Sequence, residues 1–290
     1  MRTAVRDSAL YMFFFYAVYF AVVIIIQSIT EINHPGYDDF GPLSIISIAV
    51  GSLVFLIPRK KRLFTDIAMP AAEPMTPKIF IILVVATQAI QFVYSIIIWM
   101  VDTLLPEGLS LEESYAEMME GMITPVGLVY IILIGPIFEE LIFRGAVMGP
   151  LRKFGDNFAI LFSSLIFGFY HMQMAQIPFA FVLGLLLGYV AARWSLRASI
   201  ALHITVNGLA CLISDSGDEN VMNTGGFFML LCVILSAVFL IVWRNALKLR
   251  IQDSAAFYPH TYANGFSSRA LWAFLAVMAL GGIAQMYVTI

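Results

Sequence analysis

The chain has 290 residues, 61% hydrophobic and only 12% charged, with a net charge of -3 at neutral pH and a mean hydropathy of +0.90. A soluble domain carries about 45–50% apolar and about 25% charged residues, so this composition excludes an ordinary soluble protein and indicates an all-α, polytopic membrane bundle. The small net charge argues against a nucleic-acid partner, and cysteines in apolar runs, Cys211 and Cys232, argue against a disulfide framework or a thiolate zinc site.

At about 17–25 apolar residues per crossing helix, spans are expected near residues 9–30, 42–57, 79–101, 122–148, 157–174, 177–193, 198–214, 227–243 and 269–290. That makes eight or nine, because 42–57 is short and the segments around 157–193 are tightly connected. No soluble domain fits between them, so residues 1-290 read as a single membrane domain. The N-terminal apolar run is too long for a signal-peptide core and is followed by no small-residue cleavage site, so it reads as a retained first span. Arg2 and Arg6, Arg59 to Arg62, Arg152 and Lys153, Arg193 and Arg197, and Arg244, Lys248 and Arg250 fall on alternate loops. Acidic loops intervene: Glu31, Asp38 and Asp39, then Asp102 and 107–120, then Asp215, Asp218 and Glu219. The positive-inside rule then puts the N-terminus in the cytoplasm, in what reads as the cytoplasmic membrane of a prokaryote.

Between the third and fourth spans, 109–122 places Leu111, Tyr115, Met118, Met119 and Met122 at helical spacing. This predicts a short amphipathic helix, either a solvated loop helix or a lid over a site. His34 and His260 fall in loops and read as solvated. Gly184 and Gly188 form a GxxxG pattern, read as a close helix contact. Met172 and Met174 read as core or cavity lining.

Strongly polar residues inside the spans are few: Glu139, Glu140 and Arg144; His171; His203 and Asn207; and Gln27, Gln88 and Gln91. An ionisable side chain in hydrocarbon is costly and by default a functional candidate. Glu140 and Arg144 have the four-residue spacing of an ion pair on one helix face. Glu139 lies about 100° away around the helix and faces something else. Phe167 and His171 share a face, as do His203 and Asn207. A hairpin turning at Gly155-Asp156 would return His171 to the depth of Glu140, at about 21–25 Å from the turn. Three helices can therefore converge on one intramembrane cavity. A desolvated carboxylate is a competent base for water, one histidine could share that water or bind a metal, and a second with an asparagine could stabilise an oxyanion. The structural alternatives are a buried ion pair for the glutamates and interhelical hydrogen bonds for the histidines.

EELIFR at Glu139–Arg144, FGFYH at Phe167–His171 and HITVN at His203–Asn207 occur in order on separate spans. They resemble the EExxxR, FxxxH and HxxxN motifs of the CPBP family, also called the Abi or type II CAAX prenyl endopeptidase family. The resemblance covers a catalytic core at 120-215. It implies an intramembrane endopeptidase acting on a membrane-embedded or lipidated peptide in the bilayer. Glu139 would activate water with His171 beside it, His203 and Asn207 would stabilise the oxyanion, and Glu140, Arg144 and Phe167 would support them. It leaves open whether zinc is used, with Glu139, His171 and His203 as ligands, or only the glutamate. HExxH is absent, and asparagine is a poor zinc ligand, which favours the metal-independent form. A GxSG serine motif is also absent; Tyr37-Asp38 has no GxGD partner, since SDSGDE at 214–219 lacks the first glycine. A proton- or cation-coupled transporter using the Glu/His cluster as a relay is the alternative, and a catalytically silent scaffold a third reading; two matching halves with paired broken helices are not seen.

Overall fold

The computed structural model describes residues 1–33, 40–68, 74–214, 224–238, 240–241 and 261–288. The loop carboxylates Asp38, Asp39, Asp215, Asp218 and Glu219, the basic group Arg244, Lys248 and Arg250, and His34 and His260 lie outside these residues. So do Tyr37-Asp38 and most of SDSGDE.

The described residues are helical and contain no strand. In chain order they form α1 (Arg2–Asn33), α2 (Phe40–Ala68), α3 (Pro77–Asp102) and α4 (Leu111–Glu120). A long helix α5 (Pro125–Phe154) follows, then α6 (Asp156–Tyr170), α7 (Ile177–Arg193) and α8 (Leu196–Ser214). Next come α9 (Thr224–Val238), α10 (Thr261–Phe266) and α11 (Arg269–Val288). Six of them, α1, α2, α3, α5, α8 and α11, are long and apolar enough to cross a membrane, while α6, α7 and α9 are shorter apolar helices. The expected short second span is instead the start of a 29-residue helix that runs past Pro58.

Local chemistry sets the boundaries. α3 opens with Thr76 accepting from Ile79 N at 3.3 Å, with Pro77 in the first turn. α5 opens the same way, with Thr124 accepting from Gly127 N at 3.0 Å ahead of Pro125. In both, the cap accepts from an otherwise orphaned N–H, and proline sits where no N–H is needed. The α5–α6 hairpin turns at Gly155, whose φ of 112° suits glycine. Arg152 Nε donates to Asp156 Oδ1 across that turn at 2.8 Å. Gly184 and Gly188 serve packing inside the chain: a Cβ on Gly184 would meet Phe167 at 3.0 Å and one on Gly188 would meet Ile160 at 3.1 Å. α6 and α7 therefore approach closely, and that contact fixes the helix carrying Phe167 and His171.

α5 is not a regular helix. Residues Tyr130–Ile134 and Leu141–Met148 form wider turns of the π type, each followed by Gly-Pro, at Gly135-Pro136 and Gly149-Pro150. Gly135 N donates to Tyr130 O, five residues back. One residue on, the donor due at Ile131 O would be Pro136, which has no N–H. Widened turns of this kind often mark functional sites, and the glutamates lie between the two here.

The amphipathic helix expected at 109–122 is α4. Asp102 at the end of α3 caps it, accepting from Leu111 N at 2.8 Å, Glu112 N at 3.0 Å and Ser110 Oγ at 2.8 Å. Its buried residue is Ser114, which accepts from Gln173 Nε2 at 3.2 Å. Polar anchoring to the turn after α6, which periodicity does not reveal, holds this helix down.

Candidate active site

The three motif segments meet. Glu140, on α5, is 0% exposed, and its carboxylate is shared by α5 and α8. Oε2 accepts from Ser199 Oγ at 2.6 Å and lies 3.3 Å from Arg144 Nε. Oε1 lies 3.1 Å from His203 Nδ1. The expected Glu140–Arg144 ion pair is present, but Glu140 does more than neutralise Arg144. It also fixes His203, because an ionised carboxylate only accepts and so draws the imidazole proton to Nδ1. The other ring nitrogen, Nε2, lies 3.8 Å from Glu139 Oε2. One imidazole thus stands between the adjacent glutamates.

Glu139 differs from its neighbour in setting. Its side chain keeps 12% exposure against none for Glu140, and no hydrogen bond to it is seen among the described residues. It is the more open of the two carboxylates.

Arg144 is held by contacts beyond its ion pair. Nη1 donates to Ser163 Oγ at 3.3 Å, and the guanidinium lies 4.7 Å over the Phe167 ring. A cation over an aromatic face within about 6 Å is attracted by the ring quadrupole. Phe167 is also edge-on to Phe143 at 4.9 Å, to His171 at 4.9 Å and to His203 at 5.9 Å between ring centres. Its position in the motif follows: one buried ring supports the arginine and both imidazoles.

His171 ends α6. Its Nδ1 donates to Phe167 O at 3.0 Å, leaving Nε2 free of that bond. The next residue, Met172, has φ of 51°, a left-handed conformation uncommon outside glycine. The turn is clamped on several sides. Tyr16 Oη donates to Tyr170 O, Tyr94 Oη donates to Ala175 O, and Gln173 bonds Ser114. Gly281 and Gly282 of α11 leave room for Met172 and Met174. Helices outside the motif stretch therefore hold the strained turn that follows His171.

Asn207 Nδ2 donates to Ile131 O at 2.9 Å, the carbonyl that Pro136 cannot serve. The amide has a second N–H, so this bond leaves one hydrogen for another acceptor.

Ser199 and Ser163 are the residues sequence reasoning missed. The signal was available: Ser199, His203 and Asn207 recur every fourth residue on α8, and Ser163, Phe167 and His171 do so on α6. Such spacing puts each set on one helix face. Gln27, by contrast, is exposed, and the amide of Gln88 is buried with no hydrogen-bond partner among the described residues.

The donor chemistry of Glu139, His171 and His203 suits zinc in part, since both imidazoles commit Nδ1 to an acceptor and turn Nε2 elsewhere. Their positions do not suit it: no three His, Cys, Asp or Glu side chains among the described residues are disposed to hold a metal ion. As arranged, this set does not fit a zinc centre.

Residues 122–209 match the family model described as type II CAAX prenyl endopeptidase Rce1-like. The matched stretch contains all three motifs, and α1 to α4 and α9 to α11 lie outside it. No curated protein and no solved structure matches the chain.

Proposed function

Proceeding from that family match, we propose that this membrane protein is a CAAX-type intramembrane endopeptidase, with Glu139 as the group that activates water. Its substrates are membrane-associated or prenylated peptides. The observation that carries the reading is the unequal pair of carboxylates: Glu140 is sealed and held by Arg144, Ser199 and His203, whereas Glu139 is partly open beside His203.

In this reading, water held between Glu139 and His171 gives a proton to Glu139 as its oxygen attacks the scissile carbonyl. The developing oxyanion accepts from His203 Nε2–H and from the second N–H of Asn207. Nδ1–H of His203 donates to Glu140 Oε1, so the oxyanion's hydrogen comes from the other ring nitrogen, Nε2. Glu139 then returns its proton to the leaving amine, closing the cycle without net change in the protein. Phe167, Arg144 and Glu140 hold these groups in place. No step is assigned to a metal, because the three ligand candidates do not converge. The shorter helices α6, α7 and α9 complete eight or nine spans around a central cavity, with the N-terminus in the cytoplasm. The relay alternative has no observation in its favour.

The test compares membrane proteomes of cells expressing wild type or Glu139→Gln, reading new peptide termini by mass spectrometry. Termini present with wild type and absent with the variant are expected. Identical termini from both would overturn the reading, as would Glu139-dependent ion flux in sealed vesicles without cleavage.

A further inference from the structure

The turn that follows His171 is tied together by a side chain of its own. Gln173 is fully buried and bonded on three sides. Its Oε1 accepts from Ala175 N at 3.0 Å, and its Nε2 donates to Ser114 Oγ of α4 at 3.2 Å. Its backbone oxygen accepts from Gln176 N at 2.9 Å and from Ile177 N at 3.0 Å, where α7 begins. α4 is itself fixed, because Asp102 caps its first turn, and Ser114 is buried as well. One amide therefore joins α4, the end of α6 and the start of α7.

This join bears on the ring of His171. Regular helical bonds reach four residues back, but α6 ends on tighter ones. His171 N donates to Gly168 O at 3.3 Å and Met172 N to Phe169 O at 3.2 Å, three residues back in each case, which tightens the last turn. Phe167 O, the acceptor that a continuing helix would give to His171 N, accepts from the imidazole Nδ1 at 3.0 Å. The tight ending, and the left-handed Met172 after it with φ of 51°, leave a carbonyl for the ring. That backbone conformation is unfavourable for a methionine and persists only where its surroundings hold it. Were Met172 to relax and α6 to run on, the backbone would compete with the ring for Phe167 O.

We propose that Gln173 is a positioning residue for His171, with Ser114 as its anchor on α4. The pair holds the tight end of α6, keeps the imidazole proton on Nδ1 and so presents a bare Nε2 to the attacking water. This rests on the reading of His171 as the group beside that water. It makes α4, which lies outside the stretch matched by the family model, part of the catalytic apparatus rather than a solvated loop helix.

Full-length wild type, Ser114→Ala, Gln173→Leu, the double variant and His171→Gln are compared in proteoliposomes with a fluorogenic membrane-inserting peptide. Loss of one buried hydrogen bond predicts a kcat about threefold to tenfold lower in Ser114→Ala at unchanged KM. Gln173→Leu should lose more, since both of its side-chain bonds go, and adding Ser114→Ala to it should lower kcat no further. The chain has four histidines, so nitrogen NMR of histidine-labelled protein gives a ring signal for His171, identified by its absence from His171→Gln. That signal should report Nδ1–H in wild type and move toward the other tautomer in Ser114→Ala and Gln173→Leu. A change in stability alone would not move it. Wild-type kcat with an unmoved ring signal in both single variants would overturn the proposal, as would losses that add in the double variant. If His171→Gln cleaves as wild type does, the protease reading of His171 fails instead, and the ring signal still decides whether Gln173 positions the imidazole.

Discussion

The two halves of α5 carry the same sequence device, a widened turn followed by Gly-Pro, yet side-chain donors do different work in each. In the first half, Asn207 of α8 donates to Ile131 O, where proline leaves no backbone donor. In the second, Ser163 of α6 donates to Phe143 O at 2.9 Å, although Val147 and Met148 still have N–H groups within helical reach. The first bond fills a vacancy and the second adds to a ladder. An unpartnered carbonyl in hydrocarbon is expensive, so the first half depends on another helix for its backbone chemistry. That helix also brings His203 to the glutamates, so repair of the backbone and assembly of the site are one contact.

Five substitutions would break or sharpen this comparison. The largest effect is expected from Glu140→Gln, which strands the buried Arg144 cation of the second half. Breaking one side of a buried pair costs about 3–5 kcal/mol, and thermal unfolding in micelles should show it. Asn207→Leu comes next: on the proposed mechanism it removes an oxyanion donor and should lower kcat by about 10²–10³-fold, with a stability loss of about 1–2 kcal/mol from the bare carbonyl. Steady-state cleavage and unfolding measured together separate the two effects.

Pro136→Ala restores a backbone donor and should let the first widened turn relax, lowering cleavage while stability holds or rises. Pro150→Ala makes the same repair away from the glutamates and should lower cleavage less; equal losses would remove the distinction between the halves. Ser163→Ala is the mildest, at about 0.6 kcal/mol for an interhelical hydrogen bond, and cleavage should fall less than in Asn207→Leu.

Much of the site was legible because intramembrane charge is rare. Glu139, Glu140, Arg144, His171, His203 and Asn207 stand out against an apolar background, and four-residue spacing orders them on helix faces. The sharing of His203 by both glutamates was not legible, because it depends on where α8 meets α5. Nor was the bond from Asn207 to Ile131 O, since the widened turn changes helical register without leaving a periodic signal. Pro136 hinted at it: a proline inside an apolar helix removes one donor and requires a substitute. Ser199 and Ser163 were readable as members of fourfold stripes, but serine is too common in helices to be singled out. The clamp on the turn after His171 comes from α1, α3 and α11, whose sequences read as generic membrane helices, and from α4, whose sequence reads only as a short amphipathic helix.

The central claim is that adjacent glutamates have separate duties, Glu139 in chemistry and Glu140 in holding the site. The direct test reconstitutes Glu139→Gln and Glu140→Gln side by side and measures cleavage at saturating peptide together with the unfolding temperature. The account predicts that Glu139→Gln is inactive with the unfolding temperature of wild type, whereas Glu140→Gln unfolds at lower temperature. Cleavage by Glu139→Gln at the wild-type rate would contradict it.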